Sequence, residues 1–203
     1  MRGLLVTGTD TGVGKTFVSA LLCRAHPSAT YVKPVQTGLA DDEADADVVA
    51  RMSGVAVRQG PGFDEALAPA VAAARAGAKV TRSTLLAPFS GLAEVVGEGA
   101  GGLLVELGTD GTTLADLAAD LDLPLVVVAR PGLGTLNHTR LTCEAAWARG
   151  LRVLGIVVND FPSTPGVAEE TNLTGLADIA PLLGVVPHHA GGVVLPALPD
   201  LLS

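Results

Sequence analysis

The chain has 203 residues, 48% of them apolar and only 3% aromatic, with a formal net charge of −8. That length suits one domain, 1–203, whose core must be built from Ala, Val and Leu, as in helices packed on a buried parallel sheet. No basic block is present, which disfavours a nucleic-acid partner, and no apolar run reaches the roughly 18 residues of a membrane span.

The first apolar run, "GLLVT" (3–7), reads as a strand, and 14–25 as the helix after it. The N-terminus enters this strand at once, unlike a secretory leader, so a cytoplasmic protein is expected. "TYVKP" (30–34) is a second strand, followed by helical patterns at 45–54 and 65–77. "AEVVG" (93–97) is a short strand, and a helix at 113–121 leads to "PLVVVAR" (124–130), the clearest buried strand. Helix 135–149, strand 152–159, helix 166–183 and strand "GVVP" (184–187) complete the alternation, before a tail (188–203) with little periodic pattern. Strands alternating with helices predict a doubly wound α/β fold, with a mainly parallel sheet flanked by helices. Cys23 and Cys143 lie far apart in apolar helical patterns and are read as buried free thiols.

Ligands on such folds gather at the carboxyl ends of the strands. After the first strand comes "GTDTGVGKT" (8–16). The usual phosphate-loop spacing requires a glycine at position 9, yet that residue is Thr9 and the glycine is Gly8. Gly8, Gly12 and Gly14 still permit a turn whose N–H groups face one anion at a helix start. Lys15 supplies a charge for the β- and γ-phosphates, and Thr16 a hydroxyl for Mg²⁺. Thr9, Asp10 and Thr11 are not needed to hold a nucleotide. They either face the group that receives the phosphoryl, or hydrogen-bond the turn, as such residues commonly do.

Lys33 ends the second strand, on the same sheet edge as the loop. A lysine there is ordinarily solvated, but one near a γ-phosphate spreads the developing charge. Thr37, in the turn ending at Gly38, can donate to an anionic substrate. The run "DDEADAD" (41–47) reads mostly as a solvated helix start. A Mg²⁺ site needs only one or two carboxylates, so one of these aspartates is a candidate ligand. Glu98, before the glycines of "GAGG" (99–102), is another. The histidines lack ligand spacing, and no serine stands in a nucleophile elbow.

Taken together, "TGTDTGVGKT" (7–16), "KPVQTG" (33–38), "GEGAGGLLVEL" (97–107), "LGTLNHTRLT" (133–142) and "VVND" (157–160) resemble the dethiobiotin synthetase family. The resemblance implies a phosphate-loop fold and an ATP- and Mg²⁺-dependent ring closure. In it, 7,8-diaminopelargonate takes up CO₂ as a carbamate, the carbamate attacks the γ-phosphate of ATP, and the neighbouring amine closes the ureido ring to dethiobiotin. It implies catalytic roles for Lys15, Lys33 and Thr11, and a metal site of Thr16, Glu98 and an aspartate. That aspartate is Asp45 by its spacing to Arg51, with Asp47 second. It places the nucleotide on Gly12, Val13, Gly14, Lys15, Thr16 and Phe17, with Asn159 and backbone near Pro187 at the adenine. It gives Thr11, Lys33, Thr37 and Glu98 to the substrate. Its remote carboxylate falls to Gly134, Thr135, Leu136 and Asn137, which come from the neighbouring subunit of a homodimer.

Two other readings share the fold. An amidoligase or small-molecule kinase does not need the helix-opening "GTLN" (134–137). A partitioning-type ATPase is expected to carry an early lysine in the loop, and 9–13 holds none.

Overall fold

Period-two alternation in the first strand already divides the core. Leu4 and Val6 pack to one side, against Val18 and Leu22, while Leu5 faces the other with Phe89 and Leu114. The computed structural model describes residues 1–188. Its elements run β1 (Arg2–Gly8), α1 (Lys15–Ala25), β2 (Thr30–Lys33), α2 (Asp45–Ser53) and β3 (Val57–Gln59). Then come α3 (Pro69–Arg75), α4 (Arg82–Leu86), a 3-10 turn (Ala87–Phe89), β4 (Glu94–Gly102), α5 (Leu114–Leu121) and β5 (Leu125–Ala129). The chain continues through α6 (Thr135–Trp147), β6 (Val153–Phe161), α7 (Val167–Ala177) and β7 (Leu182–Pro187).

The seven strands form one sheet in the order β3-β2-β4-β1-β5-β6-β7, and every pairing is parallel. All carboxyl ends therefore lie on one edge, and β1, with its glycine loop, sits between β4 and β5. The buried runs of β1 and β5 have apolar neighbours on both faces, as a parallel sheet covered by helices demands. Among the described residues no helix is long and apolar enough to cross a membrane.

Three elements end or begin well away from where the sequence reading put them. The helix expected at 65–77 is only Pro69–Arg75, because Pro69 starts it and the preceding carbonyls are taken by Gly38, Leu39 and Ala40 N–H groups. The helix expected to 183 stops at Ala177, since Pro181 cannot continue a helix and β7 begins at Leu182. The strand expected at 93–97 runs on through Gly102, held by β1 alongside. Strand β3 and helix α4, of three and five residues, were not anticipated. The tail from 189 onward lies outside the described residues.

Gly97 stands where a strand usually carries an apolar side chain, and the packing explains it. A Cβ there would meet Leu5 Cδ2 at 2.4 Å and Phe89 Cε1 at 3.0 Å. Gly97→Ala is therefore expected to cost about 1–3 kcal/mol by overpacking, read as a lowered urea midpoint. An unchanged midpoint would show that β4 can shift.

Both cysteines are buried and free. Burial, with Glu98 adding to it, pushes the Cys23 thiol up to about 12, and burial pushes Cys143 up to about 11. Thiolate is the reactive form. At pH 8 neither is expected to react with Ellman's reagent in the folded protein, and both should react in denaturant. Rapid native labelling would contradict this packing.

Candidate active site

The loop after β1 is shaped by its ends. Thr9 N–H donates to Val128 O of β5 at 3.0 Å, pinning the loop to the neighbouring strand. Gly14, the N-cap of α1, adopts φ 88, the left-handed region that glycine tolerates. No side chain caps α1, and no acidic residue stands in its first turn. Its free N–H groups and positive dipole end are thus left for an anion. Helices α4 and α5, by contrast, are closed by capping boxes at Thr81 and Thr113. Lys15, 7% exposed, folds back to donate to Asp10 O at 3.1 Å. Burial draws its pKa below the usual lysine value, against the pull of Glu98.

Beneath the loop lies a cluster of opposite charges. Lys33 Nζ is 2.5 Å from Asp45 Oδ2 and 3.0 Å from Glu98 Oε1, and also donates to Gly99 O at 3.0 Å. Burial opposes its charge, but Glu98 and Asp45 outweigh burial and hold its pKa above the usual lysine value. Thr16 Oγ1 lies 2.9 Å from Asp45 Oδ1 and 3.0 Å from Glu98 Oε1. Tyr31 donates to the other Glu98 oxygen at 2.9 Å. Burial, then that carboxylate, raises the Tyr31 phenol well above its ordinary value.

Among the described residues no group of three or more His, Cys, Asp or Glu side chains could hold a metal ion alone. Thr16, Asp45 and Glu98 instead supply one hydroxyl and two carboxylates at one point. These hard oxygen donors fit Mg²⁺, which takes the rest of its shell from phosphates and water. Asp47, the second choice from sequence, is exposed in the first turn of α2.

Two clefts meet here. The first, about 390 Å³, is lined by Thr11, Gly12, Lys15, Thr16, Lys33 and Glu98, among others. The second, about 480 Å³, shares Thr11, Thr37, Asp42, Ala100 and Gly101 with it but is otherwise apolar: Ala66, Leu67, Ala68, Pro69 and Val105. Phe17 lies on a further cleft with Thr37 and Asp45. Val13 is buried in the core below the loop.

Other expected residues lie apart from the clefts. Asn159, at the end of β6, donates to Val13 O at 3.1 Å and so props the loop from behind. Pro187 ends β7 and pairs in register with Phe161, two residues beyond Asn159. Gly134 to Asn137 do not line the clefts described above. Gly134 caps α6 with φ 92, again without a side-chain cap or an acidic first turn.

Sequence reasoning missed Arg130, at the end of β5. Its guanidinium lies 3.2 Å from Asp10 Oδ2 and 3.4 Å from Thr11 O. Asp10 Oδ1 accepts from Thr11 N–H at 2.7 Å. Asp10 thus braces the turn, with Arg130 behind it. Tyr31 and Gln36 were also missed; Gln36 accepts from Asp45 N–H at 3.3 Å. A tyrosine inside an apolar strand gives no sign that its hydroxyl has a carboxylate partner, and only the position of Arg130 beyond a strand end was a usable signal.

A family model described as "AAA domain" matches residues 2–191. Solved structures share the architecture. One is a ParA family ATPase from Chlorobium tepidum (TM-score 0.54, 12% identity, 92% of this chain and 84% of that one). Another is the septum site-determining protein MinD from Pyrococcus horikoshii (TM-score 0.54, 17% identity, 92% and 81%). At such identities the likeness is one of fold. Curated relatives are far nearer in sequence. The ATP-dependent dethiobiotin synthetase BioD of Mycolicibacterium gilvum is 46% identical over 94% of this chain and 89% of its own length. That of Mycobacteroides abscessus is 44% identical over 99% and 93%. With such identity along nearly its whole length, the chain belongs to the ATP-dependent dethiobiotin synthetase family.

Proposed function

We propose that this protein is a cytoplasmic, single-domain enzyme that makes dethiobiotin from 7,8-diaminopelargonate, CO₂ and ATP. The observation that carries the reading is the junction of a two-lysine phosphate cleft with an apolar cleft at Thr11 and Thr37. A simple kinase needs the first cleft; a substrate with an anionic reacting end and an alkyl chain uses both.

The triphosphate lies along Gly12, Val13, Gly14, Lys15 and Thr16, with Phe17 beside it and Asn159 and Pro187 toward the base. A carbamate and a triphosphate repel each other, and Lys15 and Lys33 offset that repulsion where the charge of the transition state builds up. Thr11 and Thr37 donate to the carbamate or the γ-phosphate and hold them in line. Thr16, Asp45 and Glu98 would hold Mg²⁺, which would supply further charge neutralisation. The alkyl chain follows the wall of Ala66 and Pro69, away from water. Little proton transfer is asked of the protein; positioning and charge carry the reaction.

The remote carboxylate falls to Gly134, Thr135, Leu136 and Asn137 of a second subunit. Supporting a homodimer, Leu133 is 93% exposed just before α6, Leu141 57% midway along α6, and Val167 78% at the start of α7. Large apolar side chains at such exposure suit a partner surface.

Incubation with diaminopelargonate, bicarbonate, Mg²⁺ and ATP is expected to give dethiobiotin, identified by mass, with ADP in equal amount. Folded protein that forms no dethiobiotin would overturn the reading.

A further inference from the structure

Most acidic groups around the clefts already have partners. Asp45 meets Thr16 and Lys33, and Glu98 meets Thr16, Tyr31 and Lys33. Glu43 pairs with Arg51 at 2.7 Å, and Asp10 with Arg130 at 3.2 Å. Asp42 is different. Among the described residues its carboxylate has no hydrogen bond or ion pair; only its backbone N–H is engaged, donating to Gly38 O at 3.0 Å.

Asp42 also stands at the meeting of the two clefts and lines both. A Cβ built on Gly38 would lie 3.5 Å from Ala66 Cβ and 3.7 Å from Asp42 Oδ2. The carboxylate oxygen and Ala66 thus lie close to one point beside Gly38; Asp42 itself is solvent-exposed, and Lys15 and Lys33 line the first cleft with it.

The substrate's two amines are adjacent. When the alkyl chain lies along the apolar cleft, the amine pair reaches this junction. One amine receives CO₂ and becomes an anion that the lysines attract. The other arrives as an ammonium, which the same lysines repel. It needs a carboxylate that is not already neutralised. We propose that Asp42 binds this second ammonium and so selects a vicinal diamine over a monoamine. The inference rests on the reaction reading above.

The test is calorimetric binding of 7,8-diaminopelargonate, 7-aminopelargonate and 8-aminopelargonate to wild type and Asp42→Asn. A charge-assisted hydrogen bond predicts that wild type binds the diamine about tenfold more tightly than the monoamine that lacks the amine facing Asp42. In Asp42→Asn that gap should close to within about twofold, with the ATP dissociation constant and melting temperature unchanged. A variant that still prefers the diamine as strongly overturns the role of Asp42 alone. So does a parallel loss for all three ligands, which marks only long-range charge. Wild type that neither binds nor converts the diamine overturns the reaction reading, and this inference with it.

Discussion

Lys33→Ala is expected to leave ATP affinity within a few-fold of wild type while dethiobiotin formation falls by about a hundredfold or more. Removing one donor aimed at developing charge typically has that effect. The split follows from position. Lys33 ends β2, outside the loop that wraps the phosphates, and reaches the site through its ammonium alone. The same substitution leaves Glu98, 1% exposed, without its cation. Breaking a buried pair on one side costs about 3–5 kcal/mol, so a lower melting temperature is expected as well. Lys33→Ala combined with Glu98→Gln should regain stability without regaining turnover. Near-normal turnover by folded Lys33→Ala would remove this lysine from the chemistry.

Gly14→Ala is the second large effect, and it should strike binding first. The residue holds φ 88, a region that costs an L-residue about 1–2 kcal/mol. Its new Cβ would also lie 2.0 Å from Asn159 Nδ2. Asn159 must then swing away and release Val13 O, and the loop loses its prop. ATP affinity is expected to fall by at least about tenfold, since backbone N–H groups aimed at an anion lose alignment. Adding Asn159→Ala relieves the clash but not the φ strain, so it should restore part of the melting temperature and little of the affinity. Unchanged ATP binding in the single variant would mean that the loop rearranges freely.

Much of this was legible in sequence because it is local. The alternation of buried strands and amphipathic helices set the parallel sheet, and the order strand, glycines, lysine, threonine, helix marked the phosphate loop. What escaped depends on distant contacts. Strand β3 is three residues at a sheet edge, "VRQ", without an apolar repeat. The extension of β4 through Gly99–Gly102 needs β1 beside it, because glycines carry no strand preference of their own. Arg130 meets Asp10 across 120 positions and Tyr31 meets Glu98 across 67, and no spacing rule links such pairs. Asp45 was singled out by likeness to a family; its place beside Thr16 and Lys33 comes from the way α2 is set down after β2.

The balance of charge under the loop has a kinetic consequence. Lys15 and Lys33 cancel Asp45 and Glu98, and the chain as a whole carries −8. From a distance the mouth of the site presents no positive field to a nucleotide in solution. Capture then proceeds without steering, at about 10⁵–10⁶ M⁻¹s⁻¹. Added salt, which normally slows the approach of a polyanion to a basic cleft, should leave the association rate nearly flat. Lys33 acts only once the triphosphate has arrived and drawn it away from its carboxylates, and Lys15 once it leaves the Asp10 carbonyl, so the enzyme's discrimination resides in how long a nucleotide stays.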